Sequence, residues 1–140
     1  MIPKIIKQWE ANKARLEEYF KNTDQKEYCY SYLNIVKKIF ELVLTEKEYE
    51  LEKITVIDNG DYQGTQIFLI PEAVYQPSIS EYIITHTYYG SCSGCDTLQG
   101  IYNYEDGLPT DKQTRDYMML ALHLVQRMKN LNDDQDSCFS

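Results

Sequence analysis

Apolar residues near both ends of the chain recur at intervals of three and four, which is the spacing of an amphipathic helix. One such stripe lies in residues 4–21, a polar break follows at residues 22–24, and a second stripe occupies residues 26–44. Thr23 or Asp24 is the predicted N-cap of the second helix, because short polar side chains accept hydrogen bonds from the first backbone N–H groups. The stripes consist of Ile5, Trp9, Leu16 and Phe20, and then of Tyr28, Tyr32, Ile35, Val36, Ile39, Phe40 and Val43.

The middle of the chain changes to a period of two and to β-branched and aromatic residues. Residues 49–58, 65–71 and 80–90 predict three strands, and the turn-forming sequence NGDYQGT joins the first two as a hairpin. Residues 100–107 indicate a short fourth strand. Alternation in the third strand places Tyr82, Ile84, His86 and Tyr88 on one face, and Ile83, Thr85, Thr87 and Tyr89 on the other.

A last helical stripe follows, with Thr110 or Asp111 as its N-cap and with apolar positions at Tyr117, Leu120, Ala121, Leu124, Met128 and Leu131. The chain has no internal repeat and no low-complexity linker, so one domain is predicted over residues 1–140. Its parts are a helical region at 1–46, an antiparallel sheet at 47–105, a helix at 110–131 and a flexible tail at 132–140. The predicted class is α+β: a small antiparallel sheet of three to four strands packed with two N-terminal helices and one long C-terminal helix.

Composition and charge narrow the function classes. The 140 residues are 43% hydrophobic, and no apolar run has the length of a membrane-spanning helix. No signal-peptide pattern is present, so we expect a cytoplasmic protein without a membrane partner. Fourteen basic residues against 22 acidic ones give a net charge of −8, which disfavours direct nucleic-acid binding. The acidity is typical of a solubilising surface, or of a decoy surface that occupies a basic groove on another protein.

The sequence YYGSCSGCDTLQG, residues 88–100, contains the most distinctive chemistry of the chain. Cys92 and Cys95 have the spacing of half a zinc site, but no second Cys-x-x-Cys is present, and the other ligands would come from His86, His123, Cys29 or Asp96. In a cytoplasmic chain the cysteines are expected to be reduced thiols or metal ligands, and having no cofactor is favoured over binding zinc. Thioredoxin-like redox chemistry is disfavoured, because at most a turn or two of helix fits after Cys95.

A cysteine nucleophile is a second interpretation of the same loop. Cys92 or Cys95 needs a general base, and an extended strand separates His86 from them unless the chain bends at Gly90. His123 can approach from the last helix. The corresponding function is a thiol- or zinc-dependent enzyme.

A ligand-binding rim is the third interpretation. Small residues let backbone N–H groups converge, and a simple meander brings the hairpin turn and the end of the third strand to one end of the sheet. The predicted ligand-binding residues are Asp58, Asp61, Tyr62, Tyr88, Tyr89, Ser91, Cys92, Ser93, Cys95 and Asp96. A tight turn in which cysteine acts as a small buried side chain explains the same residues without any ligand.

The sequences GDYQGT (60–65), YYGSCSGCDTLQGI (88–101) and DYMMLALHL (116–124) resemble small uncharacterised proteins of phages and prophages of Gram-positive bacteria. The resemblance implies a phage-type accessory protein and transfers no catalytic residues. The expected function is therefore non-enzymatic: the protein binds a host protein, as an inhibitor for example, or sequesters a small ligand. It would do so through the hairpin and cysteine-loop rim or through its acidic surface.

Overall fold

A computed structural model describes residues 3–26, 30–60, 64–90, 96–103 and 105–131. Within these ranges four helices and four strands follow in the order α1 (Pro3–Lys21), α2 (Tyr32–Leu42), β1 (Thr55–Gly60), β2 (Gly64–Pro71), β3 (Tyr82–Tyr89), α3 (Thr97–Tyr102), α4 (Asp111–Gln126) and β4 (Lys129–Asn130). Short 3₁₀ turns at Leu51–Lys53 and Ile79–Glu81 precede β1 and β3. The α+β class and its antiparallel sheet with N-terminal and C-terminal helices are confirmed.

Capping residues and apolar stripes explain the two better-defined helices. The Ser31 side chain accepts a hydrogen bond from the backbone N–H of Asn34 and so begins α2. Thr110 and Gln113 form a reciprocal capping box that begins α4. The apolar stripes of these helices are buried: Tyr32, Ile35, Val36, Ile39 and Phe40 in α2, and Tyr117, Leu120, Ala121, Leu124 and Val125 in α4.

The sheet is an antiparallel meander with the strand order β1-β2-β3-β4. Residues directly opposite each other on neighbouring strands share a face, so the register sorts the side chains. The covered face carries Val56, Asp58, Gln66, Phe68, Ile70, Ile83, Thr85, Thr87 and Tyr89. The open face carries Ile57, Ile67, Leu69, Tyr82, Ile84, His86 and Tyr88.

The hydrophobic core lies between the covered face and the helices. Phe68, Ile70 and Ile83 pack in one cluster with the buried residues of α1, α2 and α4. The hydroxyl of the buried Thr85 donates to the backbone carbonyl of Leu124 at 2.7 Å, which fixes α4 against β3. Helix packing therefore determines which face of the sheet is buried.

Three details of the sequence interpretation are corrected by the structure. Residues 97–102 form the short helix α3, where residues 100–107 predicted a strand, because the Asp96 side chain caps a helical turn. The helix expected to reach residue 131 ends at Gln126. The chain then turns, buries Met128 completely in the core and pairs as β4 with Ile83 and Ile84.

The start of the second helix also differs from the prediction, because α2 begins at Tyr32 and not at residue 26. Thr23 and Asp24 serve other contacts. The Thr23 hydroxyl donates to the carbonyl of Tyr19, and Asp24 accepts hydrogen bonds from the backbone of Lys26 and Gly107. Asp24 thus ties the connection between α1 and α2 to the segment before α4.

No helix among the described residues has the length and apolar character needed to cross a membrane.

Candidate functional site

A cleft of about 800 Å³ opens between the covered face of the sheet and the segments around α2 and α3. All six residues of β1 are exposed, and Val56, on the covered face, is 38% exposed where it borders the cleft. Val56, Gln66 and Tyr89 form the sheet side of the cleft. The opposite wall consists of residues between α1 and α2, the first turn of α2, α3 and the segment after it: Gln25, Lys26, Tyr30, Ser31, Tyr32, Leu33, Leu98, Gln99, Tyr102, Glu105 and Asp106.

Asp96 lies at the base of the cleft and is only 5% exposed. One carboxylate oxygen, Oδ1, accepts hydrogen bonds from the Tyr32 hydroxyl at 3.1 Å and from the backbone N–H of Gly90 at 2.9 Å. The other, Oδ2, accepts from the backbone N–H of Gln99 at 2.9 Å and so caps α3. A single buried carboxylate therefore connects the end of β3, the start of α3 and α2.

Tyr32 completes this network from the helical layer. Its hydroxyl accepts a hydrogen bond from the backbone N–H of Leu98 at 3.2 Å while it donates to Asp96. Burial raises the pKa of the Tyr32 hydroxyl above its ordinary value; the N–H of Leu98 opposes the shift, and the Asp96 charge adds to it. The hydroxyl consequently keeps its proton and remains a donor to Asp96 across the physiological pH range.

A second carboxylate, Asp58, orders the sheet side of the cleft. It accepts a hydrogen bond from the Tyr89 hydroxyl at 2.5 Å and one from the Gln66 side-chain amide at 3.2 Å. Asp58 on β1 thus holds two cleft-lining side chains, that of Gln66 on the neighbouring strand β2 and that of Tyr89 on β3, one strand further. This pre-forms the sheet wall of the cleft.

The mouth of the cleft is acidic. Glu105 and Asp106 are exposed and lie on the same wall as the exposed Lys26, so with Asp96 three carboxylates accompany one ammonium group among the described lining residues. The electrostatic environment therefore favours positively charged groups over anions.

Three of the predicted site residues meet at this cleft. Tyr89 and Asp96 line it, and Asp58 holds Tyr89 in place. The register pairs Gly60 with Gly64 and Gly64 with Tyr89, so the hairpin and the end of β3 do lie at the same end of the sheet. Tyr88 points to the open face, where it is 61% exposed, and does not share the cleft. The remaining predicted site residues lie outside the described residues: Asp61, Tyr62, Ser91, Cys92, Ser93 and Cys95. The same holds for Cys29 and Cys138.

The two histidines lie away from the cleft. His86 is on the open face, with its ring edge-on to Tyr88 at a centroid distance of 5.5 Å. His123 is exposed on α4. Within the described ranges no cluster of three or more His, Cys, Asp or Glu residues is arranged to hold a metal ion. The zinc and nucleophile interpretations stay predictions, because they depend on Cys92 and Cys95.

Sequence reasoning did not identify several residues of the cleft, of which Tyr32, Gln66 and Gln99 carry the most chemistry. Tyr32 belongs to the apolar stripe of α2, and nothing in the stripe distinguishes its hydroxyl from a core side chain. Asp96 and Gln99 do have a signature, because Asp followed three residues later by Gln is typical of a helix N-terminus. That pattern predicts that α3 begins after Asp96 and that the Asp96 carboxylate turns toward the first turn of this helix.

Comparison of the chain with protein-family models, with curated proteins and with solved structures gave no match in any of the three. The resemblance to phage proteins accordingly stays a prediction, and the function proposed below rests on the cleft itself.

Proposed function

We propose that the protein is a non-enzymatic binding module that takes up a small ligand, or one side chain of a partner protein, in the cleft. The observation that carries the proposal is the cleft of about 800 Å³ with the buried carboxylate of Asp96 at its base. Sites for small molecules are concave, measure roughly 300–1,000 Å³ and combine apolar walls with a few converging polar groups. The cleft has each of these properties.

The hydrogen-bond network supports binding in preference to catalysis. Asp96, Tyr32 and Asp58 are each engaged with protein groups, so the network holds the walls in a fixed geometry. A pre-formed site loses less conformational entropy when a ligand binds, and its affinity is correspondingly higher. A phage-type accessory role, by sequestration of a ligand or by engagement of a host protein, is compatible with such a site.

The thiol-dependent enzyme is not proposed in its place. The cleft is bordered by Gly90 and Asp96, the two residues that flank the cysteine loop, but no histidine of the described chain lines it. The described part of the cleft therefore contributes no imidazole base for a nucleophilic thiol.

A matched pair of variants on one strand tests the proposal. Val56 lies on the covered face in the cleft, and its neighbour Ile57 lies on the open face at a similar exposure, 38% against 45%. Val56→Trp fills the cleft from the sheet side, whereas Ile57→Trp adds the same bulk outside it. A thermal-shift screen of a mixed library of cationic, neutral and anionic metabolites identifies ligands for the unaltered protein.

The expected result is at least one ligand whose stabilisation is lost in Val56→Trp and retained in Ile57→Trp. Titration calorimetry on both variants then measures the loss of affinity directly. A library that yields no ligand for the unaltered protein, or ligands that bind equally to both variants, contradicts the proposal.

A further inference from the structure

Hydrogen-bond donors around the cleft are largely used within the protein. The Tyr32 hydroxyl donates to Asp96 and the Tyr89 hydroxyl donates to Asp58. The Gln66 amide nitrogen also donates to Asp58. The side-chain nitrogen of the buried Gln25 donates to the carbonyl of Gly107 and to the Gln113 side chain, at 3.4 and 3.3 Å. These four side chains therefore have little donor capacity left for a ligand, whereas Lys26, Ser31 and Gln99 also line the cleft and carry donors.

Among the described residues, hydrogen-bond acceptors remain in excess at the same place. A carboxylate offers about four acceptor sites. The described residues occupy three of those of Asp96, two on Oδ1 and one on Oδ2. The Gln66 side chain turns its nitrogen toward Asp58, and within the described ranges no donor reaches its oxygen. The inner polar groups with remaining capacity thus call for a ligand that donates hydrogen bonds.

The charges around the cleft also favour a ligand that is a hydrogen-bond donor, namely a cation. Asp96, Glu105 and Asp106 line the cleft, and Lys26 carries the one ammonium group among its described lining residues. An anionic ligand would meet carboxylates at the base and at the mouth, while a cation would be attracted at both. Phosphate-bearing ligands are disfavoured on this ground.

The aromatic walls select the shape of the cation. Tyrosine rings line the cleft from α2, β3 and α3, namely those of Tyr32, Tyr89 and Tyr102. Flat delocalised cations stack on aromatic faces and are more weakly hydrated than an ammonium ion. They also present N–H groups in a fork that matches a carboxylate. A compact ammonium ion keeps more of its hydration and makes less use of the rings.

We infer that the ligand group accepted by the cleft is a planar cation that donates from two or more nitrogens, a guanidinium or an amidinium, which contacts Asp96 and Gln66 between tyrosine rings. The inference rests on the proposed binding function and assigns its ligand class. The group has two sources with one chemistry: a free small molecule, or an arginine side chain of a partner protein.

Three isosteric probes test the charge requirement. Benzamidine is a planar cation, benzamide is neutral and benzoate is an anion, and all three have nearly the same size and shape. We expect benzamidine to bind at least about tenfold more tightly than benzamide, since hydrogen bonds to charged groups are the stronger ones. Benzoate should bind more weakly than both. Titration calorimetry or amide NMR measures the three affinities.

Variants test whether Asp96 and Gln66 are responsible for the affinity for benzamidine. Asp96→Asn keeps a side-chain oxygen as the cap of α3 but removes the charge, and it should reduce benzamidine affinity by about tenfold or more. Gln66→Met removes the acceptor from a half-buried position of β2, so it remains informative even where Asp96→Asn is poorly folded. Glu10→Gln on α1 changes the net charge equally, does not line the cleft and should leave the affinity unchanged.

A fourth probe, N-acetylarginine amide, distinguishes the two sources of the cation, because it imitates an arginine side chain in a partner protein. Binding of this probe in preference to benzamidine indicates a partner protein, and the reverse preference indicates a free ligand. Benzoate or benzamide as the tightest probe, or no binding by either cation, overturns the inferred ligand class. A ligand of another class that is lost in Val56→Trp and kept in Ile57→Trp would then leave the binding function standing, so the two failures are distinguishable.

Discussion

The covered face of the sheet has a packed end and a cleft end, which meet where Val56 on β1 lies directly opposite Phe68 on β2. At the packed end Phe68 and Ile70 are completely buried against the helices. At the cleft end Val56 and Tyr89 lie on the same face and line the cleft, and a polar network around Asp96 takes the place of apolar packing. The edge strand β1 is exposed along its whole length, so Val56 stays accessible while its partner Phe68 is buried.

One face of the sheet thus contributes to folding stability at one end and to ligand binding at the other. Apolar packing at the packed end supplies free energy of folding without requiring any particular hydrogen bond. The cleft end holds polar groups in fixed directions, which contributes less to stability and leaves a surface that a ligand can occupy. Substitutions at the two ends should therefore have different consequences.

The largest expected effect is at the packed end. Phe68→Ala leaves a cavity in the core and should lower the free energy of unfolding by about 3–5 kcal/mol. Val56→Ala, on the same face but in the cleft, should cost about 1 kcal/mol or less because its side chain is already partly in water. Urea unfolding of both variants checks the contrast, and equal losses would show that the cleft end is packed like the core.

The next effect is at the base of the cleft. Asp96→Ala removes the cap of α3 and leaves the N–H of Gly90 without its acceptor, which should cost about 1–3 kcal/mol. Asp58→Ala removes an exposed carboxylate and should cost less than about 1 kcal/mol. Chemical denaturation distinguishes the two carboxylates, and a larger loss at Asp58 would contradict the assignment of Asp96 as the central residue.

The smallest effect appears only in alkaline solution. Burial, followed by the charges of Glu72 and Glu46, raises the pKa of Tyr49 to about 12, against about 10 in an unfolded chain. The unfolded state therefore loses its proton first as the pH rises. The contribution of Tyr49 to stability is complete below about pH 10 and is lost progressively as the pH rises toward 12.

Tyr49→Phe keeps the ring against Phe40 but removes the ionisation, so unfolding free energies should fall less steeply above pH 10 than in the unaltered protein. Tyr32 and Tyr117, whose pKa values burial also raises, keep part of the alkaline decrease in that variant. Identical pH profiles for the variant and the unaltered protein would exclude a buried Tyr49 hydroxyl.

Periodicity predicted the parts of the fold that apolar burial determines. The stripes of α1, α2 and α4 follow from which side chains enter the core, and the structure buries Leu16, Ile35 and Leu124 accordingly. Alternation in β3 assigned Ile83 and Ile84 to opposite faces, and the structure buries both. Hydrophobic periodicity is a local signal with a direct physical cause, so it survives without knowledge of the tertiary structure.

Tertiary contacts determined what periodicity did not predict. Met128 continues the stripe of α4 in the sequence, yet its burial beside β3 requires the chain to leave the helix at Gln126. The cleft combines Tyr32, Gln66 and Asp96, which are separated in sequence by 30 residues or more. Only the packing of three elements brings their polar groups together, so the rim was predictable from the meander while its partners on the helices were not.

The central claim is that the cleft, and not the open face of the sheet, is where the protein binds a ligand. An amide NMR titration of isotope-labelled protein with benzamidine tests it most directly, because the chemical shift of each backbone N–H reports the surroundings of that residue. Binding in the cleft predicts the largest shifts at Gly90, Leu98 and Gln99, whose N–H groups donate within its base. No saturable shifts at all would overturn the inferred ligand class, and the largest shifts at His86 and Tyr88 on the open face would contradict the central claim.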